Sequence, residues 1–204
     1  MPISAQLQIN IEAVVDYLCR IPIPTRDFTV PPYMMIIRSF DINKPGDTAE
    51  QLQGGVAGGT ILKGVLKVGD EIAIRPGKVQ RNRKSKKTQW TEIRSVVTSL
   101  MADKNELMYA IPGGLIAVGT KVDPQFTRSD MMVGGVIGHP DLMPEVFNEI
   151  DVTTTILKRI VGSKKDKKDE STIKKIQKDE TLLINIGSEN CPGTVVRVSG
   201  VSNI

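Results

Sequence analysis

From residue 33 onward the chain is a series of short apolar runs, each cut off by glycine or proline. The runs are Met34–Arg38, Val56–Lys63, Glu71–Arg75, Glu92–Leu100, Leu115–Lys121 and Met132–Ile137. They are too short for helices of ordinary length and rich in strand formers, so they read as strands. Repeated short strands with Gly and Pro between them predict a closed antiparallel β-barrel. Lys67-Val68-Gly69-Asp70 and Pro112-Gly113-Gly114 read as tight turns, the glycines supplying positive φ. With 18 glycines and 12 prolines in 204 residues, such punctuation is plentiful. Aromatic residues are only 4% of the chain, so Val, Ile and Leu must fill the core.

The flanks read differently. Leu7, Ile11, Val14, Val15 and Leu18 make one helical stripe over 7–19, with Ser4 as a plausible N-cap. Ile21-Pro22-Ile23-Pro24 ends that helix, and 21–32 reads as a stiff extended linker. A second β segment is expected from Pro144. Glu145–Ile160 would give one or two strands, 162–180 a charged surface loop, and Thr181–Gly187 and Thr194–Val198 two more strands. So few strands do not close a barrel, and the chain is expected to be a piece of a longer protein. The expected organisation is therefore a remnant at 1–20, a linker at 21–32, a barrel at 33–143 and a truncated second barrel at 144–204.

The net charge of +4 is concentrated. Lys78, Arg81, Arg83, Lys84, Lys86 and Lys87 fall within ten residues that contain no acid. Such a patch attracts phosphate, which makes it a candidate RNA or ribosome contact; a soluble hairpin tip is the plainer reading. Cys19 and Cys191 lie far apart and His139 stands alone, so no zinc spacing exists and no metal site is expected. The thiols read as reduced, as in a cytoplasmic protein. No apolar run approaches the length of a membrane span, and no membrane partner is expected. No paired carboxylates and no nucleophile with a base stand out, so no catalytic residue is assigned.

Two stretches resemble the second domain of translational GTPases such as elongation factor Tu. One is Gly58-Gly59-Thr60-Ile61-Leu62-Lys63-Gly64-Val65-Leu66-Lys67-Val68-Gly69-Asp70-Glu71, the other Pro112-Gly113-Gly114-Leu115-Ile116-Ala117-Val118-Gly119. Arg38-Ser39-Phe40-Asp41-Ile42-Asn43-Lys44-Pro45-Gly46, Gly54 to Gly59, Gly119 to Pro124 and Leu182 to Ser188 narrow this. They resemble the gamma subunit of eukaryotic and archaeal initiation factor 2. The similarity is weakest over 78–91 and 162–180. A selenocysteine-specific elongation factor would share the barrel, but the S-F-D-x-N-K-P-G and G-G-V-A-G-G runs argue against it.

The resemblance implies a longer protein with a GTPase domain followed by two β-barrels. It would bind GTP or GDP with Mg, hold methionyl initiator tRNA, assemble with alpha and beta subunits and act on the small ribosomal subunit. Pro2-Ile3-Ser4-Ala5 resembles the last guanine-recognition motif, with Ser4 and Ala5 beside the base. This chain has no G-x-x-x-x-G-K-[ST] loop, so it is not expected to hydrolyse GTP alone, and no cofactor is expected on it. By the same resemblance the acceptor end of tRNA would meet Arg38, Phe40, Asp41, Gly54, Gly55, Val56, Gly113, Gly114 and Leu115. The plainer readings are core for Phe40, turns for the glycines and a solvated face for Arg38. A protein-docking scaffold for the alpha subunit is the alternative function.

Overall fold

Pairing begins where the proline-rich segment ends, at Tyr33. The computed structural model describes residues 1–48, 50–81, 88–155 and 176–199. Within them the strands are β1 (Tyr33–Phe40), β2 (Val56–Lys63), β3 (Leu66–Lys67), β4 (Glu71–Arg81) and β5 (Thr88–Ala102). They continue with β6 (Asn105–Leu107), β7 (Tyr109–Ala110), β8 (Ile116–Thr120), β9 (Val136–Gly138), β10 (Thr181–Ile186) and β11 (Glu189–Thr194). The antiparallel order β4-β9-β1-β2-β8-β5 closes through a β4–β5 pairing into a six-stranded barrel. Closure leaves no unpaired edge in the ring, as expected from many short strands.

Register decides which residues fill the barrel. Met34 lies opposite Ile61, Ile36 opposite Gly59 and Ser39 opposite Ala57. These inward positions join Ile72, Ile74, Val97, Leu100, Val118 and Ile137 in one aliphatic core. At roughly 25 cal/mol per Å² of apolar surface, burial of these side chains is the main stabilising term. β3 and β7 pair across one end of the barrel. There Asp70 folds the predicted turn: its Oδ2 accepts from the Lys67 N–H at 2.8 Å, with Gly69 at φ 93°. The β5–β6 hairpin turns at Asp103, whose φ is 54°.

Several expectations shift. β4 and β5 are longer than their apolar cores, because pairing continues past an irregularity after Ile74 out to Arg81 and Thr88. The expected strand at 132–137 shrinks to β9. Ser129 and Asp130 take positive φ, and Val133 closes a turn on the Asp130 carbonyl. Residues 145–155 form no strand, so the alternation of Val146, Ile150 and Val152 leads to no ladder, and 156–160 lie outside the described residues. The last strand is Glu189–Thr194 rather than Thr194–Val198. Gly187 at φ 61° reverses the chain in two residues, which puts Glu189 directly opposite Ile186.

The helix α1 (Ile11–Cys19) is shorter than its stripe. Ser4 does not cap it. The Ser4 Oγ accepts from the Leu7 N–H at 3.2 Å within a tight turn, and Ser4 pairs with Ile9. Gln8 and Asn10 are left-handed, a conformation through which no helix continues, so Asn10 stands at the N-cap position. None of the helix residues is buried. No helix among the described residues is long and apolar enough to cross a membrane.

Candidate functional site

The outer face of β1–β2–β8 gathers part of the sequence-predicted site. Arg38 lies opposite Gly58, Gly58 opposite Ala117, and Phe40 opposite Val56, which lies opposite Gly119. Opposed residues share a face, so these six stand together on the outside of the barrel. Gly58 and Ala117 give the strip a low floor. A Cβ on Gly58 would lie 3.6 Å from the Arg38 Cβ and 3.9 Å from the Phe40 ring. Phe40 is 40% exposed, whereas Val56 is only 7% exposed although it belongs to no part of the core cluster. Val56 is thus sheltered on the outer face, in register with an exposed aromatic ring. Phe40 is therefore not a core residue.

Arg38 is held in place. Its Nε donates to Asp130 Oδ1 at 3.1 Å, and the same oxygen accepts from the Ser39 N–H at 2.8 Å. Ser39, buried, accepts from the Met132 N–H at 3.1 Å. The 128–132 segment therefore grips β1 from both faces. The left-handed backbone at Ser129 and Asp130 is the cost of aiming that carboxylate. Asp130 had no motif to mark it in the sequence; only the fold brings it to Arg38.

The other predicted residues divide. Asp41 folds its own loop: Oδ1 accepts from the Asn43 N–H at 2.9 Å and from Asn43 Nδ2 at 2.7 Å. Asn43 then clamps Gln53, donating from Nδ2 to the Gln53 carbonyl at 2.8 Å and accepting from its N–H at 2.7 Å. Gly54 and Gly55 are neither open turns nor free approaches. A Cβ on Gly54 would fall 1.9 Å from the Thr120 carbonyl oxygen, and one on Gly55 2.1 Å from Thr127 Oγ1. Their missing side chains are explained by packing against the barrel wall.

Gly113 and Gly114 have open space around them and φ of 119° and 68°. The Gly113 N–H donates to the Ile61 carbonyl at 3.3 Å. Leu115, next to the Gly59–Ile116 pair, lies on the outer face and is exposed. It sits about four residues along β2 from Val56, roughly 13 Å at strand rise. Arg38, Phe40, Val56 and Leu115 thus lie along one outer strip, with Phe40 and Leu115 at its ends, whereas Asp41, Gly54 and Gly55 stand apart from it, and the predicted residues form no single closed pocket.

Ser4 and Ala5 lie in the turn before α1. Lys78 places its Nζ 5.7 Å from the Phe126 ring centroid. Arg81 ends β4 opposite Thr88. Arg83, Lys84, Lys86 and Lys87 lie outside the described residues. So does most of the charged loop expected at 162–180.

Sequence reading missed one polar cluster altogether. Glu92 receives Arg75 Nε at 2.6 Å and Arg94 Nε at 2.8 Å. Arg75 also donates to the carbonyls of Met143 at 2.9 Å, Pro144 at 2.8 Å and Pro140 at 3.3 Å. Burial alone would raise the Glu92 pKa, but the two guanidinium hydrogen bonds and charges outweigh it and hold the carboxyl below its ordinary range. The cluster ties the segment after β9 to the barrel. Alternating charges on β5 look like ordinary surface until β4 is laid beside them.

Residues 54–138 match the family model described as elongation factor Tu domain 2. Residues 148–203 match the one described as initiation factor eIF2 gamma, C terminal. Over 98% of its length the chain is 46% identical to eukaryotic translation initiation factor 2 subunit 3 of Drosophila melanogaster. The chain belongs to the initiation factor 2 gamma family. It spans 42% of that relative's length. The crystal structure of the translation elongation factor SelB from Methanococcus maripaludis, apo form, is similar with a TM-score of 0.52. That likeness covers 69% of this chain and 27% of the other at 21% identity, and it speaks to the fold alone. Family membership agrees with the runs around Phe40 and Gly54 that separated this chain from a selenocysteine-specific factor.

Proposed function

We propose that this chain serves translation initiation as the barrel wall on which the methionylated end of initiator tRNA rests. The observation that carries this reading is the outer strip of Arg38, Phe40, Val56, Gly58 and Ala117 on β1–β2–β8. An exposed ring beside a sheltered valine offers an adenine or a methionyl group a flat apolar face, and such stacking is worth about 1–3 kcal/mol. The low floor at Gly58 lets a backbone approach the sheet. Arg38, aimed by Asp130, keeps donors free for a phosphate or ester oxygen. In the longer protein, a GTPase domain with GTP or GDP and Mg would close the other side. Alpha and beta subunits and the small ribosomal subunit are the further partners this reading carries.

The test is anisotropy of labelled initiator tRNA, methionylated and uncharged, titrated with the chain at two salt concentrations. Tighter binding of the methionylated form, persisting at the higher salt and lost about tenfold in Phe40→Ala, is the expected result. Equal, salt-abolished binding of both forms would refute it, since phosphate attraction alone behaves so. A second reading, a docking scaffold for the alpha subunit, is favoured by the exposed Val68, Met108, Tyr109 and Ile111 around the β3–β7 end. It predicts RNA-independent binding of an alpha-subunit domain that Tyr109→Ala weakens and Phe40→Ala does not.

A further inference from the structure

β1 is interrupted at Ile37. Ile36 lies opposite Gly59 and Arg38 opposite Gly58, so Ile37 is an extra residue in the strand. Such a bulge leaves backbone groups outside the ladder, and they take partners from elsewhere. The Ile36 carbonyl has two. It accepts from the Gly134 N–H at 3.2 Å and from the Ser188 Oγ at 2.7 Å. Ser188 stands in the turn between β10 and β11, far along the chain.

The two surfaces are fitted to each other at this spot. A Cβ on Gly187 would fall 2.6 Å from Met35 Sδ, and one on Gly134 would fall 2.6 Å from Glu189 Cβ. Neither glycine could carry a methyl group without parting the turn from the barrel. Gly187 at φ 61° also serves its own hairpin, so by itself it would say little about docking. The hydroxyl beside it says more, because it is spent on a barrel carbonyl and not on its own turn.

The segment that shares the Ile36 carbonyl with Ser188 is the one that aims Arg38. Asp130 Oδ1 receives Arg38 Nε and the Ser39 N–H, and the Met132 N–H donates to Ser39 Oγ. At the other end the Gly135 carbonyl accepts from the Ile36 N–H at 2.9 Å. Residues 130–135 are therefore tied to β1 on both sides of the bulge. The aim of a side chain is only as firm as the shell that holds its partner.

We infer that the β10–β11 turn is a latch on the β1 bulge, and that Ser188 is a positioning residue that keeps 130–135 seated so that Asp130 holds Arg38. Its consequence for tRNA rests on reading the outer strip as the seat of the methionylated end. The hold on Arg38 itself is testable without RNA.

The first measurement is NMR on the whole chain without RNA. It follows the Arg38 Nε–H, assigned by its loss in Arg38→Lys, and the Gly134 amide. In Ser188→Ala both should exchange with water about fivefold faster, the factor one neutral hydrogen bond supplies, while amides of β2 and β8 keep their rates. Ser188→Thr, which keeps the hydroxyl, should exchange as wild type does. Circular dichroism and the urea midpoint establish that each variant folds. Unchanged exchange at Gly134 and Arg38 in Ser188→Ala would overturn the latch. The second measurement titrates methionylated and uncharged initiator tRNA. Ser188→Ala should weaken the methionylated form about threefold and add no further loss in an Arg38→Gln background. The same loss in both backgrounds would overturn the positioning role, since Ser188 would then act by another route than Arg38. A wild-type chain that binds both tRNA forms alike would sink the reading of the strip, and with it any part for Ser188 in tRNA binding, while faster exchange in Ser188→Ala would still uphold the latch.

Discussion

Replacing Arg75 by methionine should cost more stability than any other single charge removal on the barrel's surface. The side chains of Arg75 and Glu92 are only 19% and 15% exposed, so their ion pair is mostly shielded from water. Removing one partner of a shielded pair typically costs about 3–5 kcal/mol, because the other is left uncompensated. Here Arg94 stays on Glu92 but is itself 66% exposed and well screened. The carbonyls of Met143 and Pro144 lose their donor at half-buried and exposed positions, and that of the buried Pro140 loses only a long 3.3 Å bond. We therefore expect a loss of about 2–3 kcal/mol. In urea, with a slope of about 1–3 kcal/mol per molar, the midpoint should fall by about 1 M. Arg75→Met with Glu92→Gln should lose less than the sum of the single variants, since no bare carboxylate remains. An unfolding free energy within about 0.5 kcal/mol of wild type for Arg75→Met would refute the reasoning. So would additive losses in the double variant.

Four further outcomes are expected. The folded pKa of Glu92 lies below its unfolded value, so its contribution is complete above the ordinary carboxylate range and fades as pH falls through the lower folded value; Glu92→Gln should flatten the acid limb of the stability–pH profile, and an unchanged limb would count against the ion pair. Gly54→Ala should destabilise by about 2 kcal/mol or more, because its Cβ meets the Thr120 backbone. Gly113→Ala, with open space but φ of 119°, should cost only about 1 kcal/mol of strain; chemical denaturation of both tells packing from conformation. Hydrogen exchange should be faster in β10–β11, a two-stranded sheet, than in β2 or β8 inside the closed ring, and equal protection would contradict that.

The barrel was legible along the chain. Short aliphatic runs between glycines have no alternative to strands, and their alternation specifies which side faces inward once a register exists. The turns at Gly69 and Gly113 were legible as well, because positive φ is a local demand that only a few residues meet. Family resemblance likewise rested on contiguous runs such as Arg38–Gly46. Tertiary structure decided what those runs could not. Gly54 and Gly113 look alike in sequence, yet one is empty because a neighbouring backbone fills the space and the other because the chain must bend. Phe40 and Val56 are sixteen residues apart and share a face only through the β1–β2 register. Asp130 reaches Arg38, and Arg75 reaches Glu92 and Pro144, across strands that meet on folding. Helical periodicity overcalled the first helix, because the left-handed Gln8 and Asn10 answer to a turn closed by Ser4 rather than to the stripe. Local physics is written residue by residue. Contacts between distant residues exist only after closure, so they had to be seen.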